Sequence, residues 1–187
     1  MRYLMMSLAA GAAALGAVPG PAARAQIPTP AHVEVPAAEP KAADVGTIDG
    51  MIRAYYDVIT GPPGQPRQWS RDRTLYIPDL RFVAAEVDGR GRPEPRIMSH
   101  QQFVDASNAS MVAKGFVERE IHRVTQRFGN IAHVFSTYQT LKKPDGPVLS
   151  RGINSIELFW DGKRWWIASA IWDEERPDNP IPKEYLP

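Results

Sequence analysis

The chain has 187 residues, with 22 basic and 21 acidic side chains, four histidines and no cysteine. That length suits one compact domain with some additional chain, and 43% hydrophobic with 23% charged residues is an ordinary globular composition. A formal charge of +1 excludes attraction to nucleic acid by bulk positive field. The missing cysteine excludes disulfides, thiolate metal sites and a cysteine nucleophile.

Residues 1–25 have the pattern of a signal peptide. Arg2 gives a positive start, residues 4–18 are uncharged and rich in Leu, Met and Ala, and Ala23 and Ala25 put small residues just before Gln26, where a signal peptidase cuts. The apolar run is short for a membrane span, which needs about 20 residues. Export to a bacterial periplasm or secretion is therefore expected, with no membrane attachment after cleavage. Residues 26–46 carry Pro28, Pro30, Pro36 and Pro40 among alanines, which predicts a semi-extended linker.

Thr47 is an N-cap for a helix over 48–59, where Ile48, Met51, Ile52, Tyr55 and Ile59 recur at helical spacing. Gly61-Pro62-Pro63 stops it. A short second helix is predicted over 69–75, then a strand over 80–87 and a turn at 88–91. Ser99 and Gln102 form a capping box for a third helix that ends at Lys114. From Phe116 the apolar period shortens to that of strands. Four are predicted, over 116–128, 131–141, 148–160 and 163–173. Turn signals at Gly129-Asn130, Pro144-Asp145-Gly146-Pro147 and Asp161-Gly162 separate them. Residues 174–187 hold four prolines and read as a loose tail, leaving 47–173 as the domain.

Helices followed by a meander of long strands give an α+β arrangement, three N-terminal helices on one face of an antiparallel sheet. Strands of more than ten residues must curve, so the sheet is expected to wrap into a cone with an internal pocket. The helix over 48–59, the segments 75–83 and 127–134, and the ending Trp160-Asp161-Gly162-Lys163-Arg164-Trp165-Trp166-Ile167 together resemble the nuclear transport factor 2-like superfamily. That superfamily includes SnoaL-like polyketide cyclases, ketosteroid isomerase and scytalone dehydratase. The resemblance spans 47–173. It implies a strongly curved, cone-shaped fold, dimerisation through the sheet, and a pocket for a small, mostly apolar molecule. It does not settle activity, because such folds host many functions.

If Gly129-Asn130 is a two-residue turn, Phe128 pairs with Ile131, Gln126 with His133 and His122 with Thr137. One face then carries Glu118, Glu120, His122 and His133, and the other carries Arg119, Arg123 and Arg127. The first is expected to face inward, because three arginines are more easily solvated than buried. Glu120 and His122 then point the same way and form a candidate acid–base pair; the alternative is an interface histidine beside ordinary acids. His133 lies about 13 Å along the sheet from His122, too far to share a metal ion. No other metal-ligand spacing occurs, so neither a metal nor a cofactor is expected.

With Asp161-Gly162 as the turn, Leu158 faces Trp165 and Ile156 faces Ile167. Asn154 and Ser169 continue that apolar face, where Asn154 either lines a pocket or makes a structural hydrogen bond. Tyr55 on the first helix and Trp69 on the short helix complete the candidate pocket wall. Three functions fit. The chain is an exported binding protein for a small apolar or amphipathic molecule, a cofactor-independent acid–base enzyme using His122 with Glu120, or an interaction module using its sheet face. The expected partners are a small ligand and a second copy of the chain. Nucleic acid is not expected, because balanced charge gives no electrostatic funnel.

Overall fold

The computed structural model describes residues 30–187. The signal-peptide pattern over 1–25 lies outside the described residues. Two helices, α1 (Ala42–Val45) and α2 (Ile48–Asp57), open the domain. The Thr47 hydroxyl caps α2 by accepting the Gly50 amide at 2.9 Å, which satisfies one of the free first-turn donors. A short α3 (Trp69–Arg73) follows and is held to α1 by Arg71, which donates to both Asp44 oxygens at 2.7 and 2.8 Å.

The strands β1 (Phe82–Val87) and β2 (Pro93–Met98) form a hairpin, and α4 (His100–Lys114) crosses back over the sheet. The capping box at its start is complete: Ser99 Oγ accepts the Gln102 amide and Gln102 Oε1 accepts the Ser99 amide. Nothing in the sequence predicted β2, because Pro93 and Pro95 disfavour a strand. They are tolerated because β2 is an edge, where a missing amide costs nothing.

Four long strands complete the chain: β3 (Val117–Phe128), β4 (Ile131–Leu141), β5 (Val148–Trp160) and β6 (Trp165–Glu174). The sheet order is β2-β1-β6-β5-β4-β3. All neighbours are antiparallel except β1 and β6, which run parallel. Met51, Ile52 and Val58 of the helical layer meet Val134, Ile156, Leu158, Ile167 and Ala170 of the sheet in a fully buried core.

Three register shifts bend the long strands, at Ile121 in β3, Leu149 in β5 and Ala168 in β6. Each inserts one residue, which curves the strand and exchanges the faces beyond it. The hairpin pairings of Phe128, Gln126 and His122 hold as expected, but Glu120 pairs with Tyr138 across the bulge. The inward face of β3 is therefore Glu118 and Glu120 before the bulge, and Arg123, Thr125 and Arg127 after it. The buried partners on β4 are Tyr138, Ser136, Val134 and Ala132. His122 and His133 lie on the outer face, against expectation.

The inward arginines are not left bare. Arg123 pairs with Glu120 and with Asp49 of α2, and the Arg127 guanidinium lies 5.0 Å over the Trp165 ring.

The last hairpin also departs from its expected register. Asp161 accepts the Lys163 and Arg164 amides at 2.8 Å each, an Asx turn that widens the connection to four residues. These bonds and the Trp166 indole bond hold the Asp161 carboxyl down at about 2. Trp160 consequently faces Trp165, and Leu158 faces Ile167.

Over the described residues, from 30 onward, both proline-rich ends are docked on the domain rather than loose. Val35 is buried, and the Val33 backbone exchanges hydrogen bonds with Asp105 and Gln101 of α4, each 2.8 Å. The C-terminal segment crosses the outer sheet face, where Tyr185 packs 4.9 Å from Phe135 and its carbonyl accepts from Thr137. Proline loses little backbone entropy on ordering, so a few contacts suffice to dock such segments.

Between α2 and α3 the chain is held by Arg67, which is buried. Its guanidinium donates to the carbonyls of Gly61, Gln65 and Met111 at 2.6–2.8 Å. Arg67→Met removes all three bonds and leaves the Gly61 carbonyl with only the Phe116 amide. It is expected to lower the unfolding free energy by about 3 kcal/mol in urea denaturation. A loss under about 1 kcal/mol would show that the loop does not depend on this clamp.

Candidate functional site

The curved sheet, α2 and α4 enclose a cavity of about 210 Å³. Seven aromatic rings wall it. Tyr55, Tyr76, Phe82 and Phe103 come from the helical side and β1, and Phe116, Tyr138 and Trp172 come from the wrapped strands. Phe82 anchors one end, with its centroid 5.1 Å from Tyr76, 5.1 Å from Phe103 and 6.0 Å from Trp172. The rings meet edge to face or tilted, the arrangement their quadrupoles favour.

Into this apolar wall project a few polar groups. Glu118 stands opposite Thr140 in the register, and the Thr140 hydroxyl donates to it at 3.3 Å. Burial pushes the Glu118 carboxyl up to about 8, with the nearby Glu174 adding to the rise and the Thr140 bond opposing it. This side chain is thus a proton donor at neutral pH. Tyr138 is 3% exposed and lines the cavity, and its hydroxyl has no hydrogen-bond partner among the described residues. Burial and the Glu118 charge raise its ionisation well above the phenol range, so it too remains a donor.

The Tyr138 ring tip fits because residue 152 is glycine. A Cβ there would collide with the Tyr138 hydroxyl and the Asp173 carbonyl. Gly152→Ala is expected to destabilise the protein by about 2 kcal/mol, read by thermal or urea unfolding. Unchanged stability would mean that the ring has room to move elsewhere.

Asn154 and Tyr55 meet at the cavity wall and begin a hydrogen-bond chain. The Tyr55 hydroxyl donates to Asn154 Oδ1 at 3.4 Å, and Asn154 Nδ2 donates to the Tyr56 oxygen at 3.1 Å. Tyr56 bonds to Ser136 at 2.7 Å, and Ser136 donates to Glu120 at 2.5 Å. Arg123 closes the chain with two bonds to the Glu120 carboxylate, at 2.9 and 2.6 Å. Every donor points toward Glu120. The Tyr55 proton is therefore committed inward, and its lone pair is left for whatever occupies the cavity.

A second buried cluster fixes Tyr76. Asp72 is 0% exposed, accepts the Tyr76 hydroxyl at 2.9 Å and meets His100 Nε2 at 2.9 Å. The pair sits behind the Tyr76 ring and orients it.

Of the residues expected in the pocket, Tyr55 and Asn154 are in its wall. The other five are not. The Ile121 bulge sends His122 outward while Glu120 stays inward, tied to Arg123 and Ser136, so the proposed acid–base pair is split across the sheet. His133 is on the outer face and bonds to Ser155 at 3.0 Å. The Ala168 bulge places Ser169 outward, opposite Glu157. Trp69 joins α3 to α4 through its indole N–H, which donates to Asn108 at 2.7 Å, and does not reach the cavity.

Glu118, expected only to face inward, and Tyr138 and Trp172, not expected in the pocket, also line the cavity. One signal was available, since the Gly129-Asn130 hairpin register places Glu118 near Thr140 and Tyr138. The residue inserted at Ile121 was not legible. Among the described residues, no three His, Asp or Glu side chains converge to hold a metal ion.

No protein-family model and no curated protein matches the sequence. Solved structures do match the fold. An NTF2-like protein of unknown function from Silicibacter pomeroyi aligns at 13% identity and a TM-score of 0.50, over 70% of this chain and 94% of that one. A protein from Exiguobacterium sibiricum described as a Ca/calmodulin-dependent kinase II association domain aligns at 12% identity and a TM-score of 0.50. It covers 75% of this chain and 98% of its own. At such identities the likeness concerns architecture alone. The helices over a six-stranded curved sheet, and these matches, give the chain the nuclear transport factor 2-like cone fold.

Proposed function

We propose that the protein binds a small aromatic or amphipathic molecule in the cone cavity. The cavity itself carries this reading. Protein interiors are close-packed, and a recess of about 210 Å³ walled by seven aromatic rings forgoes packing contacts that would stabilise the fold. Selection for stability alone would fill it. An engineered cavity of about 150 Å³ holds benzene, so this one suits one substituted ring or two fused rings. A four-ring skeleton exceeds it.

The test is a calorimetric titration with 3-phenyl-1-propanol. Binding is expected with a Kd on the order of 0.1 mM, from about 0.5 kcal/mol per heavy atom. Met111 lines the cavity, and Met111→Trp is expected to abolish binding while leaving the protein folded. Binding that survives the filled cavity would remove the site from consideration.

One observation favours an enzymatic second reading. Glu118 titrates near 8, close to working pH, which suits a general acid or base. Catalysis at that carboxyl predicts a Glu118→Gln variant that binds but does not turn over. Retained turnover would exclude it.

The signal-peptide pattern supports export of the mature chain, and N-terminal sequencing of protein recovered outside the cytoplasm decides it. Phe128, Ile131 and Phe159 are exposed on the outer sheet face and support a homodimer there. A sedimentation experiment giving only monomer would contradict that surface.

A further inference from the structure

We propose that the cavity selects organic cations, taking a small ring-bearing amine whose ammonium is held by Glu118 and Glu174 while its ring lies among the aromatic walls. This rests on the binding function proposed above and names its ligand class.

The charges of the wall carry the inference. Glu118 and Glu174 both line the cavity, and no lysine, arginine or histidine does. Neither carboxylate is in an ion pair among the described residues, although the protein forms many elsewhere: Arg71 with Asp44, Arg123 with Glu120, Arg151 with Glu175, Arg176 with Asp173. Arg119 and Arg176 lie near in sequence but do not line the cavity, and Arg176 forms its side-chain ion pairs with Asp173 and Asp178 while donating to the Glu174 backbone carbonyl. An uncompensated buried carboxyl is expensive. Glu118 is such a group, and Glu174, exposed at the end of β6, adds a second carboxylate to a lining that holds no base.

The aromatic rings add to this. Tyr55, Tyr76, Phe116 and Trp172 line the cavity, and aromatic ring faces attract a cation, most strongly where water is excluded. Tyr138 adds a hydrogen-bonding group to the wall. It is 3% exposed, and its hydroxyl is unpartnered among the described residues and lines the cavity. A ligand with a polar group would satisfy it.

An anion is disfavoured by both carboxylates and all rings. A neutral ring satisfies the walls but leaves the charge uncompensated. A bare metal ion would find two carboxylates and mostly carbon, too few oxygen donors for a hard cation. An ammonium on a ring answers every feature of the wall.

At pH 7 the incoming cation takes the place of the Glu118 proton, a penalty of about tenfold for a group one unit above the pH. The groups facing Glu118 are Tyr55 and Tyr56 from α2, Tyr138 from β4 and Glu174 from β6. The tyrosines are held protonated by burial, so the released proton comes from Glu118.

Three probes of matched shape test the inference on the purified protein: 3-phenylpropylammonium, 3-phenyl-1-propanol and 3-phenylpropanoate. At pH 7 the cation is expected to bind at least tenfold more tightly than the alcohol, and the anion not at all. Titration in two buffers of different ionisation enthalpy is expected to show proton release with the cation alone. In the double variant Glu118→Gln/Glu174→Gln the cation's advantage is expected to fall below threefold, with the alcohol's affinity retained. Cation and alcohol within threefold in the wild type would overturn the charge selection and leave the binding function standing. So would an advantage that persists in the double variant. Failure of all three probes would overturn both.

Discussion

The unfolding free energy of the wild-type protein is expected to fall as pH rises from about 5 to about 8, and the Glu118→Gln variant is expected to lack most of that fall. The unfolded chain binds the Glu118 proton with an ordinary value near 4.5, and the folded protein holds it to about 8. Between these values the folded state carries the extra proton. Stability therefore declines with rising pH across the window and levels above it. The full gap corresponds to about 4–5 kcal/mol. Water reaching the cavity solvates the carboxylate and reduces this to on the order of 2–3 kcal/mol.

Asp44, Asp105, Asp161 and Glu175 are held below their ordinary values by hydrogen bonds and ion pairs. Their contributions are present at neutral pH and lost only in acid, below the window. Equal pH profiles for wild type and Glu118→Gln would mean that the carboxyl is not buried in the cavity.

Asn154→Leu is expected to cost about 2–3 kcal/mol, although leucine matches the asparagine in size. The change takes the acceptor from Tyr55 and the donor from Tyr56, both buried, and an orphaned buried polar group costs about 1–3 kcal/mol. A double-mutant cycle makes the prediction specific. Tyr55→Phe alone is expected to cost about 1 kcal/mol, and almost nothing when Asn154 is already leucine. Additive losses would show that the two side chains act independently and that the hydrogen-bond chain is not a unit.

What could be read in advance was local. The Thr47 cap, the Ser99–Gln102 capping box and the Gly129-Asn130 hairpin depend on residues within a few positions of one another, and each stands as its residues dictate. Tyr55 was placed in the wall by helical spacing, and Asn154 by strand parity. Parity fails at a bulge, because one inserted residue exchanges every face beyond it. The bulge at Ile121 is set by curvature of the whole sheet, not by a local signal. It moved His122 out, kept Glu120 in and left Glu118 as the acid of the cavity. The Ala168 bulge did the same to Ser169. Trp69 was placed by its polar handle, but that handle is taken by Asn108. The two terminal segments were misread because proline content marks a chain without hydrophobic period, not one without docking contacts. Val35, Ile181 and Tyr185 supply those contacts singly.

The most direct test of the account is methyl NMR of the protein labelled at methionine, titrated with 3-phenylpropylammonium. The chain has six methionines, and Met111 lines the cavity. Saturable movement of the Met111 methyl resonance is expected, with nuclear Overhauser contacts from the probe ring to the Met111 methyl. A Met111 resonance that stays fixed while binding is registered elsewhere on the protein would contradict the cavity as its site.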